Sequence, residues 1–511
     1  MIHWQNFPLV RLAIPFTLGM VGANEFICRM DSLVLFVLCC AVLAFIFFFI
    51  PQQKESYKDS KFGVVAMVFA FLMGMTLYTE KHHSIAQGIP PDSTFCKGIL
   101  TELPQEKDRS WALTLQQENS IHIILYIGKD WEEPRNDSIT YASLQLGDTI
   151  LARIKHLTPT EHGEDEFEAY RKHLFRHGIC ATAYTPHSQW TMYPRKGKPT
   201  LIQQARSIQN KLHQIYEEGG IDGEAGSIVE AMTLGRKATL APTTRQAYAK
   251  AGVSHVLALS GFHVGIIVMM LQSLFLGKVL PLRWQWGGST LTIMALWGYA
   301  LLTGLSPSLV RATMMFTILI VCQIFSHDTL SPNTCVLAFL IMLCINPFYL
   351  YDIGFQLSFI AVGSIGMLGK DLVNLCVPKN RVVHGMWLIT IIAISLISTL
   401  FTAPLVAYHF GRCALLSPIA NLLLFPFTYL IMWGSILWWL FLWCAPINAA
   451  LTNLLNWSAD TMNSIADTLS SLPFASVEWQ PNAFTTLLCY LPLLMLGYLI
   501  KKRNLKKLNR P

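Results

Sequence analysis

The sequence predicts a polytopic α-helical membrane protein of about ten membrane segments, with an extracytoplasmic all-β, OB-like domain inserted after the third span. Three observations predict it. Of 511 residues, 53% are hydrophobic and 14% charged, against about 25% charged in ordinary soluble domains. Apolar windows near the roughly 20 residues that cross a bilayer recur in the first and last parts of the chain. Between them lies a polar stretch of short, mostly alternating runs, the pattern of strands rather than helices.

In chain order the windows are Phe7–Ile27, Leu33–Ile50, Phe62–Tyr78, Val256–Leu276, Trp286–Leu302, Ala312–Phe325, Ile353–Leu368, Met386–Val406, Leu415–Trp443 and Ala483–Ile500. The first is no cleavable leader: no small-residue cleavage site follows it, and two more spans come directly after. Lys54, Lys58 and Lys61 place the next loop in the cytoplasm by the positive-inside rule. Three spans then deliver residues 81–199 to the external face. Lys278 with Arg283, and Lys370 with Lys379 and Arg381, suit cytoplasmic loops, and both termini are expected inside. Within Leu415–Trp443, Pro418 and Pro426 leave the crossing number open, because they can split the window into a re-entrant pair.

The net charge of +7 invites a nucleic-acid reading, but its location argues otherwise. Lys501, Lys502, Arg503, Lys506, Lys507 and Arg510 crowd the tail, residues 501–511, whereas the insert is close to balanced. The excess is mostly a topology signal.

Residues 94–102, 111–118, 121–126, 148–156 and 179–185 supply the expected strands, and a helical insertion is expected at Glu166–Arg176. Five strands in so short a segment suit a small closed barrel. Cys96 and Cys180 are the insert's only cysteines, near its two ends, and an external location permits the disulfide expected between them. The other cysteines lie in apolar segments as small core residues. Residues 200–225 open with TLIQQARSIQNKLHQIYE, an amphipathic helix for the outer interface, and Ala450–Leu472 is a second such candidate. The organisation is thus 1–80, three spans; 81–199, the β domain; 200–225, the interfacial helix; 226–500, the main membrane region; and 501–511, the tail.

Polar groups inside lipid cost a few kcal/mol each and face a bundle interior or an aqueous path. In HVLALSGFHVGI, residues 255–266, His255, Ser260 and His263 interrupt an apolar run, and Gly261 and Gly265 loosen its helix. On a regular helix Ser260 and His263 share a face. A hydrogen-bonded packing site and a conduit lining both account for them. Catalysis is a third reading, but no GxSxG elbow surrounds Ser260, and no HExxH or related metal motif occurs. No cofactor motif is present, and any ATP-driven motor is a separate partner, since GxxxxGK[ST] is missing. Arg311, in LSPSLVRAT, either snorkels outward or points inward at an anion or carboxylate. Asp352 and Gln356, in NPFYLYDIGFQLSF, fall one turn apart, and Asp352 is a partner for Arg311 if both segments start on the outer side. Asn421, in SPIANLLLFP, sits between two prolines, a broken-helix pattern of transport cavities.

These stretches resemble the ComEC family of competence proteins, the inner-membrane DNA-uptake channels of transformable bacteria. AGVSHVLALSGFHVGII is similar to the family's aGxSHLLAISGLHVgli stretch, and EAGSIVEAMTLGRKATLAPTTRQAYAKAG to its lead-in. NPFYLYDIGFQLSF resembles NPxxLxDxGFQLSF, SPIANLLLFP resembles S-aNLlliP, and FEAYRKHLFRHGICATAY the segment closing the external OB domain. FPLVRLAIPFTLGMVGA fits the first span. The resemblance covers nearly the whole chain. It implies transport of single-stranded DNA across the bacterial cytoplasmic membrane, with His255, Ser260, Gly261, His263, Arg311, Asp352, Gln356 and Asn421 in polar motifs. It also implies a separate DNA receptor and cytoplasmic motor. Many members carry a metallo-β-lactamase-like domain after the channel, whereas this sequence stops 11 residues past Ile500. A separate nuclease is therefore expected for the strand left behind.

OB surfaces bind single strands by stacking aromatics beside basic groups. Trp111, Tyr126, Tyr141 and Tyr184 are the candidates, against the alternative that strand aromatics belong to the core. Two other functions stay open: a scaffold or transporter for another substrate, and an intramembrane serine hydrolase using Ser260 with a histidine.

Overall fold

A computed structural model describes residues 8–26, 38, 60–87, 95–102, 104–117, 121–129, 144–161, 167–187, 189–194, 201–237, 239–275, 282–325, 332–376 and 386–508. The window Leu33–Ile50 (Leu38 apart), Lys54, Lys58, Tyr141, Glu166, Lys278, Lys379, Arg381 and Arg510 lie outside the described residues. The chain divides into two compact units, Met1–Pro199 with Leu340–Tyr351, and Thr200–Phe339 with Asp352–Pro511.

In the first unit, α1 (Pro8–Phe26) packs along α2 (Ser60–Ala86). The crossing is backbone on backbone. A Cβ on Gly19 would lie 2.0 Å from the Phe71 carbonyl oxygen, and one on Gly74 would lie 2.1 Å from that of Phe16. Small residues permit such an approach between apolar helices, where tight contact replaces hydrophobic drive. Tyr78 on α2 donates to Asn24 Oδ1 at 2.7 Å.

The sheet follows: β1 (Phe95–Leu100), β2 (Gln105–Glu106), β3 (Ser110–Gln116), β4 (His122–Gly128), β5 (Thr149–Arg153), β6 (His156–Pro159), then α3 (Glu168–Arg176), β7 (Ile179–Thr185) and β8 (Trp190–Tyr193). The strand order is β6-β7-β4-β3-β1-β5-β8, with β2 on β3. All pairs are antiparallel except β4 with β7, which is parallel. Only Ile154 and Lys155 separate β5 from β6, so one bent strand pairs with β1 at its start and with β7 at its end. That connection closes the sheet on itself. Alternation does the rest: Leu113, Leu115, Ile123, Leu125 and Ile127 fill the interior at 0% exposure. The expected strands and the helical insertion are present; β2, β8 and most of β6 are additional. At the barrel's helix α3, Phe175 and Arg176 meet Phe348 and Tyr351 of a 3-10 turn, Pro347–Tyr351. Tyr78 of α2 touches the same two aromatic rings.

The second unit begins with α4 (Leu201–Glu218), α5 (Gly223–Thr233), α6 (Pro242–Lys250) and the single turn α7 (Ser254–Leu257). Then come α8 (Gly261–Phe275), α9 (Leu282–Leu302), α10 (Pro307–Phe325) and α11 (Pro332–Ile345), whose last residues belong to the first unit. After them run α12 (Ile353–Cys376), α13 (Met386–Phe410), β9 (Arg412–Ala414), α14 (Ser417–Leu440), α15 (Ala445–Ser471), β10 (Ser476–Glu478) and α16 (Ala483–Leu508). Strands β9 and β10 pair with each other.

Six helices among the described residues are long and apolar enough to cross a membrane: Gly63–Ala86, Pro307–Ile324, Ile353–Cys376, Ile389–Phe410, Ser417–Leu440 and Ala483–Asn504. Gly261–Ser273 and Asn333–Ile345 are shorter apolar helices. The expectation of about ten segments is therefore larger than the described residues carry, because several windows form helices too short or too polar to span alone. The split that Pro418 and Pro426 left open does not occur: α14 runs unbroken. Pro418 occupies the first turn, where a missing N–H is harmless, and Pro426 leaves a single carbonyl without its helical partner.

Both amphipathic helices are present. Helix α15 turns Leu455, Ala459, Met462 and Ala466 inward at 0% exposure, against α14, α5 and α6. Helix α4 buries Ala205 and Tyr216 and leaves Leu201, Ile202 and Ile208 exposed. His213 Nδ1 lies 2.5 Å from the Glu230 carboxylate and ties α4 to α5.

Candidate functional site

Apart from His255, on the turn α7, the polar residues singled out in the sequence lie at the starts of four helices, α8, α10, α12 and α14. At the first, the chain leaves helical geometry after Leu257 and resumes it at Gly261, with Ala258 extended (φ −93°, ψ 134°). Ser260 is the cap residue of α8, and its carbonyl accepts the amides of His263 and Val264. The Ser260 N–H and hydroxyl both aim at His263 Nδ1, at 3.3 and 3.0 Å. This is a capping box in which a histidine replaces the usual Glu or Gln three residues on. The serine and histidine are spaced for this local bond.

His263 is fully buried, enclosed where α8 packs against α9, α10 and α14. His255 is different: it lies on the single turn α7 and is exposed. Gly261 sits 3.6 Å, measured from an ideal Cβ, from Ala312 of α10, and Phe262 stacks at 5.1 Å on Phe425 of α14.

Arg311, in the second turn of α10, is 6% exposed. It points inward, and its Nη1 donates to Asp352 Oδ1 at 3.0 Å. The same oxygen accepts the Phe355 N–H at 2.6 Å, so Asp352 also caps α12. A guanidinium in an apolar bundle requires such a partner. Gly354 makes room for it: a Cβ there would lie 2.5 Å from Arg311 Nη2. Gln356 falls in the first turn of α12, its amide bonded to the Asp352 carbonyl. Asn421 of α14 donates to Ser395 of α13 at 3.2 Å.

Two motifs interlock in a way the sequence does not announce. Ser417, first residue of α14, donates to the Gly252 carbonyl at 3.1 Å. Gly252 has φ +76°, and a Cβ on it would lie 2.4 Å from that of Ala414. Positive φ and absent side chain are both needed, so only glycine fits without strain. The sequence signal was the glycine before SHVLALSG and the serine before PIAN; their contact needed the fold. No group of three or more metal-ligating side chains occurs among the described residues.

In the barrel unit Cys96 and Cys180 are both buried thiols, and the expected disulfide is not formed. They lie on β1 and β7, which do not pair with each other; the bent strand β5–β6 runs between them, and the two thiols are near enough for Cys96 to act on Cys180. Burial pushes the Cys96 thiol up and that of Cys180 to about 11, which makes both poor nucleophiles. Trp111 shares the inward face of Leu113 and Leu115, with Lys129 Nζ 5.6 Å from its ring. Tyr126 and Tyr184 instead face outward, directly opposite each other on β4 and β7. Tyr126 meets the Tyr170 hydroxyl at 2.9 Å. The Tyr184 hydroxyl reaches over Gly128, where a Cβ would be 2.4 Å away. The result is a pair of neighbouring rings on the sheet surface.

The family model described as "Competence protein" matches residues 232–503, just over half of the chain. Over 214 residues the chain is 31% identical to ComE operon protein 3 of Bacillus subtilis (strain 168), covering 42% of this chain and 26% of that protein. Over 236 residues it is 28% identical to an uncharacterized protein of Aquifex aeolicus (strain VF5), covering 44% and 52% respectively. The chain thus spans about a quarter and about half of the lengths of these relatives. No solved structure matches.

Proposed function

The chain belongs to the competence protein family, and on that premise we propose that it conducts single-stranded DNA across the bacterial cytoplasmic membrane during transformation. The observation that carries this reading is the placing of polar side chains at the starts of four helices of an apolar bundle. Ser260, Gly261, His263, Arg311, Asp352, Gln356 and Asn421 line or support the path. Arg311 is neutralised by Asp352, which suits passage of a polyanion: an unpaired buried cation would retain phosphates.

The barrel is the entry domain on the external face. Strand order β1-β3-β4-β7 closed through β5–β6, with β4 and β7 parallel, supports an OB-type reading. Tyr126 and Tyr184 are its stacking pair for bases, and α4 lies at the outer membrane surface with Leu201, Ile202 and Ile208 toward lipid. Both termini are cytoplasmic. Receptor, nuclease and ATP-driven motor are separate proteins. The test is uptake of labelled DNA by a transformable strain that lacks its own channel and carries this chain. Restored uptake supports the reading, and full-length inserted protein without uptake refutes it.

A second reading, an intramembrane serine hydrolase, is favoured by one observation, the 3.0 Å contact of Ser260 with His263. Labelling by an active-serine probe that is lost in Ser260→Ala would establish it. Transport of another substrate, or a scaffold role, is separated by the same uptake experiment.

A further inference from the structure

His263 sits at the third position of α8, where a capping-box side chain reaches back to the cap residue's N–H. Its Nδ1 accepts from the Ser260 amide at 3.3 Å. An accepting imidazole nitrogen carries no hydrogen, so the ring hydrogen is on Nε2. A doubly protonated ring would aim a second N–H at the Ser260 amide. The cap therefore selects one form: a neutral ring with its hydrogen on Nε2.

Among the described residues that hydrogen has nowhere to go. His263 is 0% exposed, and Nε2 has no acceptor among the described residues. On α10, which packs against α8, the Thr313 hydroxyl is likewise fully buried without a partner. Leaving a buried donor unmatched costs about 1–3 kcal/mol, and intramembrane polar groups mark functional paths. Hydrophobic packing explains neither group, because Leu or Phe would fill the same space without that cost. Capping alone does not explain the second nitrogen either, since Glu serves a capping box equally well.

We propose that His263 is the interior contact for the transported strand, its Nε2–H donating an uncharged hydrogen bond to phosphodiester oxygens while Nδ1 holds the helix cap. This rests on the DNA-conduit reading. A neutral donor suits transport, because it satisfies each passing oxygen without the Coulomb attraction by which a fixed cation would hold it. The ring is fully buried on α8, which packs on α9, α10 and α14, so the donor meets a strand when α8 parts from its neighbours. On the α8 side the contacts with Ala312 and Phe316 of α10 are made at Gly261 and Gly265, which carry no side chain to unlock.

The test is made on the full-length chain in the complemented strain, with Nε2-methylhistidine installed at 263 by codon expansion beside His263→Gln, His263→Glu and His263→Leu. The methylated ring keeps the cap and loses the donor. Gln keeps both, by accepting through its carbonyl and donating through its amide. Glu keeps only the cap, and Leu keeps neither. Uptake is expected to stay within about threefold of wild type for Gln, and to fall about tenfold or more for the other three, the size of one lost hydrogen bond. Melting of purified protein is expected to match wild type for the methylated variant and to drop for Leu. Wild-type uptake with the methylated variant overturns the inference. If that variant melts early, the Gln and Glu pair decides, and equal uptake by the two overturns it. No uptake by wild type overturns the conduit reading together with this inference; uptake by wild type and by the methylated variant overturns this one alone.

Discussion

Asp352 uses one oxygen, Oδ1, twice over, accepting Arg311 Nη1 at 3.0 Å and the Phe355 amide at 2.6 Å. One carboxylate thereby neutralises a buried guanidinium on α10 and caps α12. The two losses separate by substitution. Asp352→Asn keeps a capping oxygen but leaves Arg311 without its charge partner, at a cost of about 3 kcal/mol. Asp352→Ala removes the cap as well, at about 1 kcal/mol more. Replacing both residues, Arg311→Met with Asp352→Asn, is expected to recover most of the stability. Melting curves of the four proteins in detergent check the order, and a double variant no more stable than Asp352→Asn would contradict it.

The Ser417–Gly252 contact predicts an asymmetric pair of defects. Gly252→Ala meets a φ of +76°, the Ala414 Cβ of β9 at 2.4 Å and the Ser417 Cβ of α14 at 2.8 Å, so both must shift and the protein is expected to insert poorly. Ser417→Ala loses one hydrogen bond to the Gly252 carbonyl and is expected to cost only about 1 kcal/mol. Comparing full-length protein recovered from membranes distinguishes them; equal yields would refute the close approach of these two segments.

On the barrel, Tyr184→Ala and Tyr126→Ala are each expected to weaken oligo(dT) binding by about 1–3 kcal/mol, the value of one stacked base. Trp111→Ala is expected to destabilise the barrel instead, because the ring shares the inward face. Fluorescence anisotropy and thermal melting on the full chain read the two effects. Undiminished binding in the double tyrosine variant would remove these rings from the entry surface.

The thiols give a pH signature. Burial raises both Cys96 and Cys180, the latter to about 11, so the folded state keeps its protons where an unfolded thiol near 9.0 has begun to lose them. Above the unfolded value the unfolded state therefore binds fewer protons than the folded one, and stability falls as pH rises from about 9 to about 11. Cys96→Ala with Cys180→Ala should flatten that slope. Maleimide should reach both positions only on unfolding. Rapid labelling of the native protein would contradict the buried-thiol description, and no labelling of unreduced, unfolded protein would restore the disulfide.

Much of the molecule is legible residue by residue. Alternation locates the main strands, because a period of two buries every second side chain. Arg311 and Asp352 pair on charge alone, since neither is tolerable singly in an apolar bundle. What the sequence hides depends on context. The spacing of Ser260 and His263 suggests one face of a regular helix, but the helix starts between them and the pair caps it. Trp111 sits near a strand end, where inward and outward faces follow only from the pairing. The bond of Ser417 to Gly252 and that of Asn421 to Ser395 bridge separate helices, which no local pattern reveals. Pro418 and Pro426 suggest a break because proline's effect depends on which turn it occupies.

The most direct measurement of the central claim is photocrosslinking during uptake. A benzophenone side chain is placed at 255, on the turn that leads into the Ser260–His263 cap, and separately at Leu494, which is exposed on α16. Cells carrying each variant are given end-labelled transforming DNA and irradiated while uptake is in progress. The account predicts crosslinks to single-stranded DNA from position 255 and none from 494. Crosslinks from neither position while uptake proceeds, or equal crosslinks from both, would contradict a DNA path beside His255.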